Sequence, residues 1–97
     1  MVQVEYTAEF EDWLRKLRDS QGKAKILTQI RRLQLGNPGK AEPVGEGISE
    51  LKIHFGPGYR VYFIRMDETY WILRGGDKGS QERDIQRAKE QASQLRE

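Results

Sequence analysis

Apolar and polar residues alternate along residues 51–65, and this alternation predicts a β-hairpin. Every second residue from Leu51 to Phe55 is apolar, so the first arm has one apolar face. A three-residue loop at 56–58 pairs Phe55 with Tyr59 and keeps apolar residues opposite one another in the second arm. We therefore predict a hairpin with one face packed on a core.

The same register gathers cationic side chains on the other face of the hairpin. It sets His54 opposite Arg60 and Lys52 opposite Tyr62, with directly paired Cβ atoms about 5 Å apart. Residues 51–66 contain no acidic residue, so this face is expected to be basic and open to solvent. Ordinary exposed strand residues, with a histidine that has no role, would give the same pattern, and Tyr62 fits sheet packing better than acid catalysis.

A short strand and two helices are predicted before the hairpin. The strand covers residues 2–6, and Thr7 is a good N-cap for the helix that follows. Two helical stripes of apolar residues are then separated by a break at 20–22, which predicts an αα-hairpin. The stripes contain Phe10, Trp13, Leu14 and Leu17, then Ile26, Leu27, Ile30 and Leu33. The Arg31-Arg32 pair could contact a polyanion, although a solvated helix face explains it better.

The remaining pattern predicts a loop at 36–47, a third meander strand at 69–74, a glycine-rich turn at 75–79 and a final helix capped by Ser80. The expected fold is α+β, with the order β-α-α-β-β-β-α. An antiparallel meander sheet packs on the αα-hairpin, and a thin apolar stripe attaches the C-terminal helix. At 97 residues the chain is expected to form a single domain, 1–97.

Composition narrows the chemistry further. The 17 Lys and Arg residues barely exceed the 15 Asp and Glu residues, so net charge alone does not indicate a polyanion partner. The chain has no cysteine and one histidine, which makes a metal site improbable, and we expect no cofactor. It has no basic, apolar leader and no apolar run of membrane-spanning length, so we expect a cytoplasmic protein with no membrane partner.

Three segments carry a resemblance to a known family. They are Gly45–Phe63, which includes the run Gly-Pro-Gly-Tyr-Arg-Val-Tyr-Phe, then Gly75–Gln81, and Asp84-Ile85 with Ala88-Lys89. With the order of elements, they resemble the RelE/ParE toxin superfamily over nearly the whole chain. The likeness is strongest to its HigB-like branch of addiction-module killer proteins.

This resemblance implies a small bacterial toxin that a cognate antitoxin neutralises and that binds operator DNA only together with that antitoxin. It also implies metal-independent cleavage of mRNA in the ribosomal A site. By position, Arg60 resembles the arginine that acts on the phosphate, while Lys52 and Lys78 resemble basic residues that grip phosphates. His54 is the candidate for proton transfer, because histidine suits acid–base chemistry near neutral pH.

Other candidate RNA contacts are Tyr59 and Tyr62, as stacking platforms, and the cations Arg65 and Arg74. The predicted C-terminal helix has no Tyr or His, where many RelE-like enzymes carry a catalytic residue, so the second proton-transfer group is not identified. Two alternatives stay open at this point: a ParE-like inhibitor of DNA gyrase, and an inactive member that only binds antitoxin or regulates.

Overall fold

A computed structural model describes residues 2–97 and confirms the α+β class, with one strand more than the sequence predicts. The elements are β1 (Gln3–Tyr6), α1 (Ala8–Lys16), α2 (Ser20–Gln34), β2 (Ala41–Gly45), β3 (Ile48–Ile53), β4 (Tyr59–Met66), β5 (Thr69–Asp77), a 3₁₀ turn (Lys78–Ser80) and α3 (Gln81–Leu95). Within residues 2–97, no helix is both long enough and apolar enough to cross a membrane.

The two N-terminal helices form the predicted αα-hairpin. Thr7 caps α1 as predicted, since its hydroxyl accepts a hydrogen bond from the amide of Phe10 at 3.1 Å. The predicted break at 20–22 is misplaced, because Asp19 caps α2 through the amide of Gly22 at 2.9 Å and the second helix begins at Ser20. Gly22 lies inside α2, where a Cβ would come within 2.6 Å of the Tyr59 ring.

One five-stranded sheet runs in the order β1-β5-β4-β3-β2. Strand β1 pairs in parallel with β5, and the other pairings are antiparallel. The additional strand β2 lies within the predicted loop at 36–47. It carries Pro43 and a register shift before Gly45, features that an edge strand tolerates because one of its sides has no ladder to complete.

The hairpin exists, but its predicted register is wrong by two residues. Strand β3 ends at Ile53, which pairs with Tyr59, so residues 54–58 form a five-residue connection instead of a three-residue loop. Gly56 and Gly58 both have positive φ in this connection, 57° and 80°, which explains its glycines. The shift is even, so each residue keeps its predicted face while its partner changes.

The two faces of the sheet are both covered. Helices α1 and α2 cover an apolar face, which we call the αα face. Its buried residues are Phe10, Ile26, Ile30, Leu33, Leu51, Ile53, Tyr59, Val61, Phe63 and Ile72. Helix α3 covers the opposite face, here called the α3 face, which includes Ile48, Tyr62, Ile64, Leu73, Ala88 and Ala92. The prediction that the second face of the hairpin is open to solvent is therefore wrong for the second arm, where Arg60, Tyr62 and Ile64 are buried. In the first arm, Lys52 is partly exposed and His54 is exposed.

Strand β5 extends through the glycines that were predicted to form a turn. A Cβ at Gly75 would overlap the indole ring of Trp13, and a Cβ at Gly76 would overlap the carboxylate of Asp84. Trp13 belongs to α1 and Asp84 to α3, so the two glycines let helices approach opposite faces of one strand. The chain leaves the sheet only at Asp77, whose carboxylate caps the 3₁₀ turn through the amide of Gly79 at 2.8 Å.

Candidate functional site

The candidate site lies at the end of the sheet where the β3–β4 connection meets the 3₁₀ turn. Lys52 and Arg60 are direct cross-strand partners, and Arg60 also pairs with Gly76 of β5. This replaces the predicted pairs of His54 with Arg60 and Lys52 with Tyr62. A Cβ at Gly58 would lie 3.4 Å from both the Arg60 Nη1 atom and the Lys78 Cβ atom, so Arg60 has Lys78 near it on one side and Lys52 as its cross-strand partner.

Arg60 is held inside this region rather than on an open surface. The residue is 7% exposed, and its Nη1 atom donates to the carbonyl oxygens of Gly58 at 3.1 Å and Tyr59 at 3.3 Å. Its Nε atom lies 3.7 Å from a carboxylate oxygen of Glu50, which is 2% exposed. That separation exceeds a normal hydrogen bond, so the two buried charges attract each other without a direct hydrogen bond.

The beginning of α3 completes a polar cluster around this pair. Gln81 donates its side-chain amide to Glu50 at 2.7 Å. Ser80 donates to Asp84 at 2.5 Å, and the Nε atom of Arg74 lies 3.2 Å from the other carboxylate oxygen of Asp84. The α3 face therefore buries two carboxylates opposite two guanidinium groups, which balances the charge within the fold.

Lys52 and His54 lie towards a neighbouring cavity. Lys52 is partly exposed and its amine contacts a carboxylate oxygen of Glu42, on β2, at 3.1 Å. His54 is exposed in the first position after β3. Both residues line a cavity of about 490 Å³ that also borders α2. The structure thus places His54 beside Lys52 at the cavity wall and not opposite Arg60.

The two candidate stacking tyrosines are buried on opposite faces. The Tyr59 hydroxyl donates to Asp19 at 2.8 Å, and burial together with this hydrogen bond raises the pKa of Tyr59 to about 12. Tyr62 is 0% exposed, and burial followed by the negative charge of Glu50 raises its pKa. Neither ring presents a face to solvent on which a base could stack.

The two other candidate RNA-binding arginines lie apart from Arg60. Arg65 is exposed near the opposite end of β4, donates to the carbonyl oxygen of Asp67 at 3.0 Å and lies over the Tyr70 ring at 5.6 Å. Arg74 forms an ion pair with Asp84 of α3. The structure therefore brings together Lys52, Arg60 and Lys78, with His54 next to Lys52.

Sequence reasoning missed Glu50, the acidic partner of the central arginine. Glu50 lies two residues before Lys52 in β3, so strand parity alone puts both side chains on the face of Arg60. Gln81 and Asp84, which complete the polar cluster, are distant from Glu50 in sequence. No local sequence pattern predicts that they lie beside it. Among residues 2–97, no group of three or more His, Cys, Asp or Glu residues is arranged to hold a metal ion.

Comparison with solved structures defines the class of fold. A chain of the intact E. coli RelBE toxin–antitoxin complex matches with a TM-score of 0.62 and 15% identity, covering 79% of this chain and 96% of that chain. A copper-bound mutant toxin from Helicobacter pylori matches with a TM-score of 0.62, 16% identity and coverage of 82% and 98%. YafQ from E. coli matches with a TM-score of 0.53, 17% identity and coverage of 82% and 97%. The fold is RelE-like.

Sequence similarity identifies the family. Residues 12–96 match the family described as phage-derived protein Gp49-like. An uncharacterized protein of Haemophilus influenzae is 45% identical over 95 residues, which covers 97% of this chain and 96% of that protein. The chain belongs to the Gp49-like family, and its fold is RelE-like.

Proposed function

We propose that this protein is the toxin of a type II toxin–antitoxin module, of the HigB-like branch, and that it cleaves mRNA in the ribosomal A site without a metal. The observation that carries this proposal is the Lys52–Arg60 cross-strand pair with Lys78 at the same turn. A RelE-like fold that gathers three cations and an adjacent histidine at one end of its sheet is suited to a phosphodiester substrate.

The proposed reaction begins when the ribose 2′-oxygen attacks the adjacent phosphorus. The P–O5′ bond then breaks and leaves a 2′,3′-cyclic phosphate and a 5′-hydroxyl. A base must accept the 2′-hydroxyl proton, cations must stabilise the additional negative charge on the phosphorane, and an acid must protonate the leaving oxygen. Arg60 stabilises the phosphorane, Lys52 and Lys78 hold phosphate oxygens, and His54 transfers a proton.

A substrate phosphate that binds the Nε atom of Arg60 must take the place of the Glu50 carboxylate beside it. The Nε atom of Arg60 has no hydrogen-bond acceptor within residues 2–97 and is 3.7 Å from Glu50. A phosphate oxygen that approaches this atom would gain a charge-assisted hydrogen bond that Glu50 does not make. Access requires the Gln81 end of α3 to separate from Glu50, because Gln81 holds that carboxylate at 2.7 Å.

A cognate antitoxin is the proposed protein partner, and operator DNA would be bound only by the toxin–antitoxin complex. The solved RelBE structure is a toxin–antitoxin complex, and its matched chain shares this fold. We propose that the toxin acts in the cytoplasm, where ribosomes carry the mRNA substrate.

Sequencing of RNA ends after induced expression tests the proposal. Growth should arrest, and new 5′-hydroxyl ends should appear inside translated codons. Lys78→Gln should reduce cleavage by at least about tenfold, because it removes a cation that holds the phosphate. The fold should stay intact, because Lys78 is exposed. Arg83→Gln is the matched control, since Arg83 is an exposed cation of α3 outside the proposed site.

The same experiment separates the rival functions. Growth arrest with intact mRNA and accumulated gyrase–DNA cleavage complexes would identify a gyrase inhibitor instead. Normal growth at high expression of folded protein would identify an inactive member that serves only as a binding partner.

A further inference from the structure

The cavity beside the candidate site has its own cationic lining. It lies between α2 and the ends of β2 and β3, and its volume of about 490 Å³ is in the range of small-molecule sites. Lys25 and Arg32 reach it from α2, Lys40 from the segment before β2, and Lys52 from β3. Of these four cations, Lys52 is also the cross-strand partner of Arg60.

The charge of the cavity is unusual for a protein whose overall charge is nearly balanced. Of the described residues that line it, none is acidic, and His54 adds an imidazole to the four cationic side chains. Glu42 contacts Lys52 from outside the lining at 3.1 Å. The ammonium group of Lys25 lies 5.1 Å from the centre of the Phe55 ring, which positions this cation at the cavity through an aromatic contact.

A neutral hydrogen-bonding group also faces this region. The Oε1 atom of Gln29 is buried and has no hydrogen-bond donor within residues 2–97. Gln29 lines the cavity, and a Cβ at Gly39 would lie 3.3 Å from that oxygen. A buried acceptor without a partner is costly, so rotation of the Gln29 side chain towards the cavity would let a ligand hydroxyl satisfy this oxygen.

We propose that this cavity binds a second nucleotide of the RNA strand, next to the nucleotide whose phosphodiester is cleaved. Lys25, Arg32 and Lys40 bind its phosphate, and Gln29 accepts a hydrogen bond from its ribose 2′-hydroxyl. The site rests on the proposed function for its substrate class, but its binding can be measured without cleavage.

Lys52 gives the strand a continuous path. Lys52 is among the residues that line the cavity, and it pairs directly with Arg60 across the sheet. An RNA strand that crosses Lys52 therefore places one phosphate against the cavity cations and its neighbour near Arg60 and Lys78. Binding energy from the cavity would position the scissile phosphodiester, which favours catalysis without a direct part in the chemistry.

Two charge-matched triple variants test the phosphate-binding role of the cavity cations. The cavity variant is Lys25→Gln, Arg32→Gln and Lys40→Gln, and the control is Arg18→Gln, Arg31→Gln and Arg83→Gln. All six residues are exposed, so both variants should fold and both lose the same charge. Fluorescence anisotropy with a short labelled single-stranded RNA, checked for integrity on a gel, gives the affinity over a salt series.

The cavity variant should bind at least about tenfold more weakly, with a log–log salt slope shallower by about 0.7 for each phosphate that the protein no longer neutralises. The control should change affinity by less than about threefold. Equal decreases in affinity for the two variants would overturn the proposal, because they would show a general effect of net charge.

Gln29→Met tests the ribose contact. Wild-type protein should prefer RNA over DNA of the same sequence, and Gln29→Met should lose that preference while keeping its affinity for DNA. Equal wild-type affinity for RNA and DNA would overturn the assignment of a ribose site. Displacement of RNA by inorganic phosphate as effectively as by adenosine monophosphate would also overturn it, because the cavity would then be a site for a free anion.

Cleavage in a translating extract separates this inference from the proposed function. If wild-type protein leaves mRNA intact while the cavity variant alone loses RNA binding, the proposed nuclease fails and the nucleotide site stands. If wild-type protein cleaves and the cavity variant matches the control in both binding and cleavage, the nuclease stands and the nucleotide site fails.

Discussion

The two faces of the sheet are built by different means. The αα face is packed by large apolar side chains, and Phe10 and Ile26 on it are fully buried. The α3 face contributes fewer and smaller groups from its helix, such as Ala88 and Ala92, and it also buries the charged pair of Glu50 and Arg60.

This difference separates stability from function in the molecule. Apolar burial stabilises the αα face by about 25 cal/mol for each Å² removed from water. A buried ion pair is weak evidence for stability, because desolvation offsets much of the attraction between its charges. The α3 face therefore contains a buried charged pair, Glu50 and Arg60, whose placement is not explained by a gain in stability.

The largest expected effect is a cavity on the αα face. Phe10→Ala removes a fully buried ring that contacts Tyr6 and Trp13 through centroid distances of 5.2 Å and 5.9 Å. Unfolding in urea should show a destabilisation of about 3–5 kcal/mol. Ala88→Gly on the α3 face is the comparison, with an expected destabilisation of about 1 kcal/mol from helix propensity. Similar values for the two variants would contradict this division between the faces.

The second effect breaks the buried pair on the α3 face. Glu50→Leu leaves Arg60 buried without its carboxylate and should cost about 3 kcal/mol. The double variant Glu50→Leu, Arg60→Met removes both charges and should recover most of that stability, while Arg60→Met abolishes RNA cleavage in either background. Denaturant unfolding of the two single variants and the double variant gives the coupling energy. Additive effects on stability would show that the two charges do not interact.

The αα face is the part of the molecule that sequence predicts well. The spacing of Phe10 and Trp13 predicted α1, and the alternation around Val61 predicted the buried face of β4, because an apolar face gives a periodic signal. The register failed at Phe55, whose apolar side chain extends the alternation beyond the end of β3 at Ile53. Turn geometry decides such ends, and glycines at 56 and 58 permit more than one turn.

The α3 face could not be predicted in the same way. Lys52, Arg60 and Tyr62 alternate with apolar residues, and such a polar set is usually solvated. Burial instead depends on Gln81 and Asp84, which supply hydrogen bonds and charge from a distant helix. The alternation of apolar and polar residues within one strand does not show whether a helix distant in sequence supplies a polar partner.

The third effect tests a polar contact on the αα face. Tyr59→Phe removes the hydroxyl that donates to Asp19 at 2.8 Å, and it should cost about 1 kcal/mol in denaturant unfolding. Tyr70→Phe is the matched control, since it removes the same atom from a ring that packs on Phe63. Equal costs in the two variants would show that the Asp19 contact adds nothing.

The Tyr59 contact also predicts a dependence on pH. The folded pKa of about 12 lies above the ordinary tyrosine value, so the native state keeps the phenol proton after the unfolded chain has lost it. The stabilisation is complete below pH of about 10 and is lost as pH rises towards about 12. The difference in Tm between wild type and Tyr59→Phe should narrow across this window, and a constant difference would contradict the raised pKa.

The smallest expected effect on stability comes from a substitution next to Lys52, which lies between the two proposed sites. This substitution should also increase RNA affinity. Glu42→Gln releases Lys52 from an exposed carboxylate and should change stability by less than about 1 kcal/mol. RNA affinity should rise by about two- to fivefold, because Lys52 borders both the Arg60 region and the cavity. Glu46→Gln is the matched control, since Glu46 is an equally exposed carboxylate that contacts Lys89 instead. An equal gain in both variants would mean that only net charge matters, whereas a gain limited to Glu42→Gln would identify Lys52 as the cation that connects the candidate catalytic groups to the nucleotide cavity.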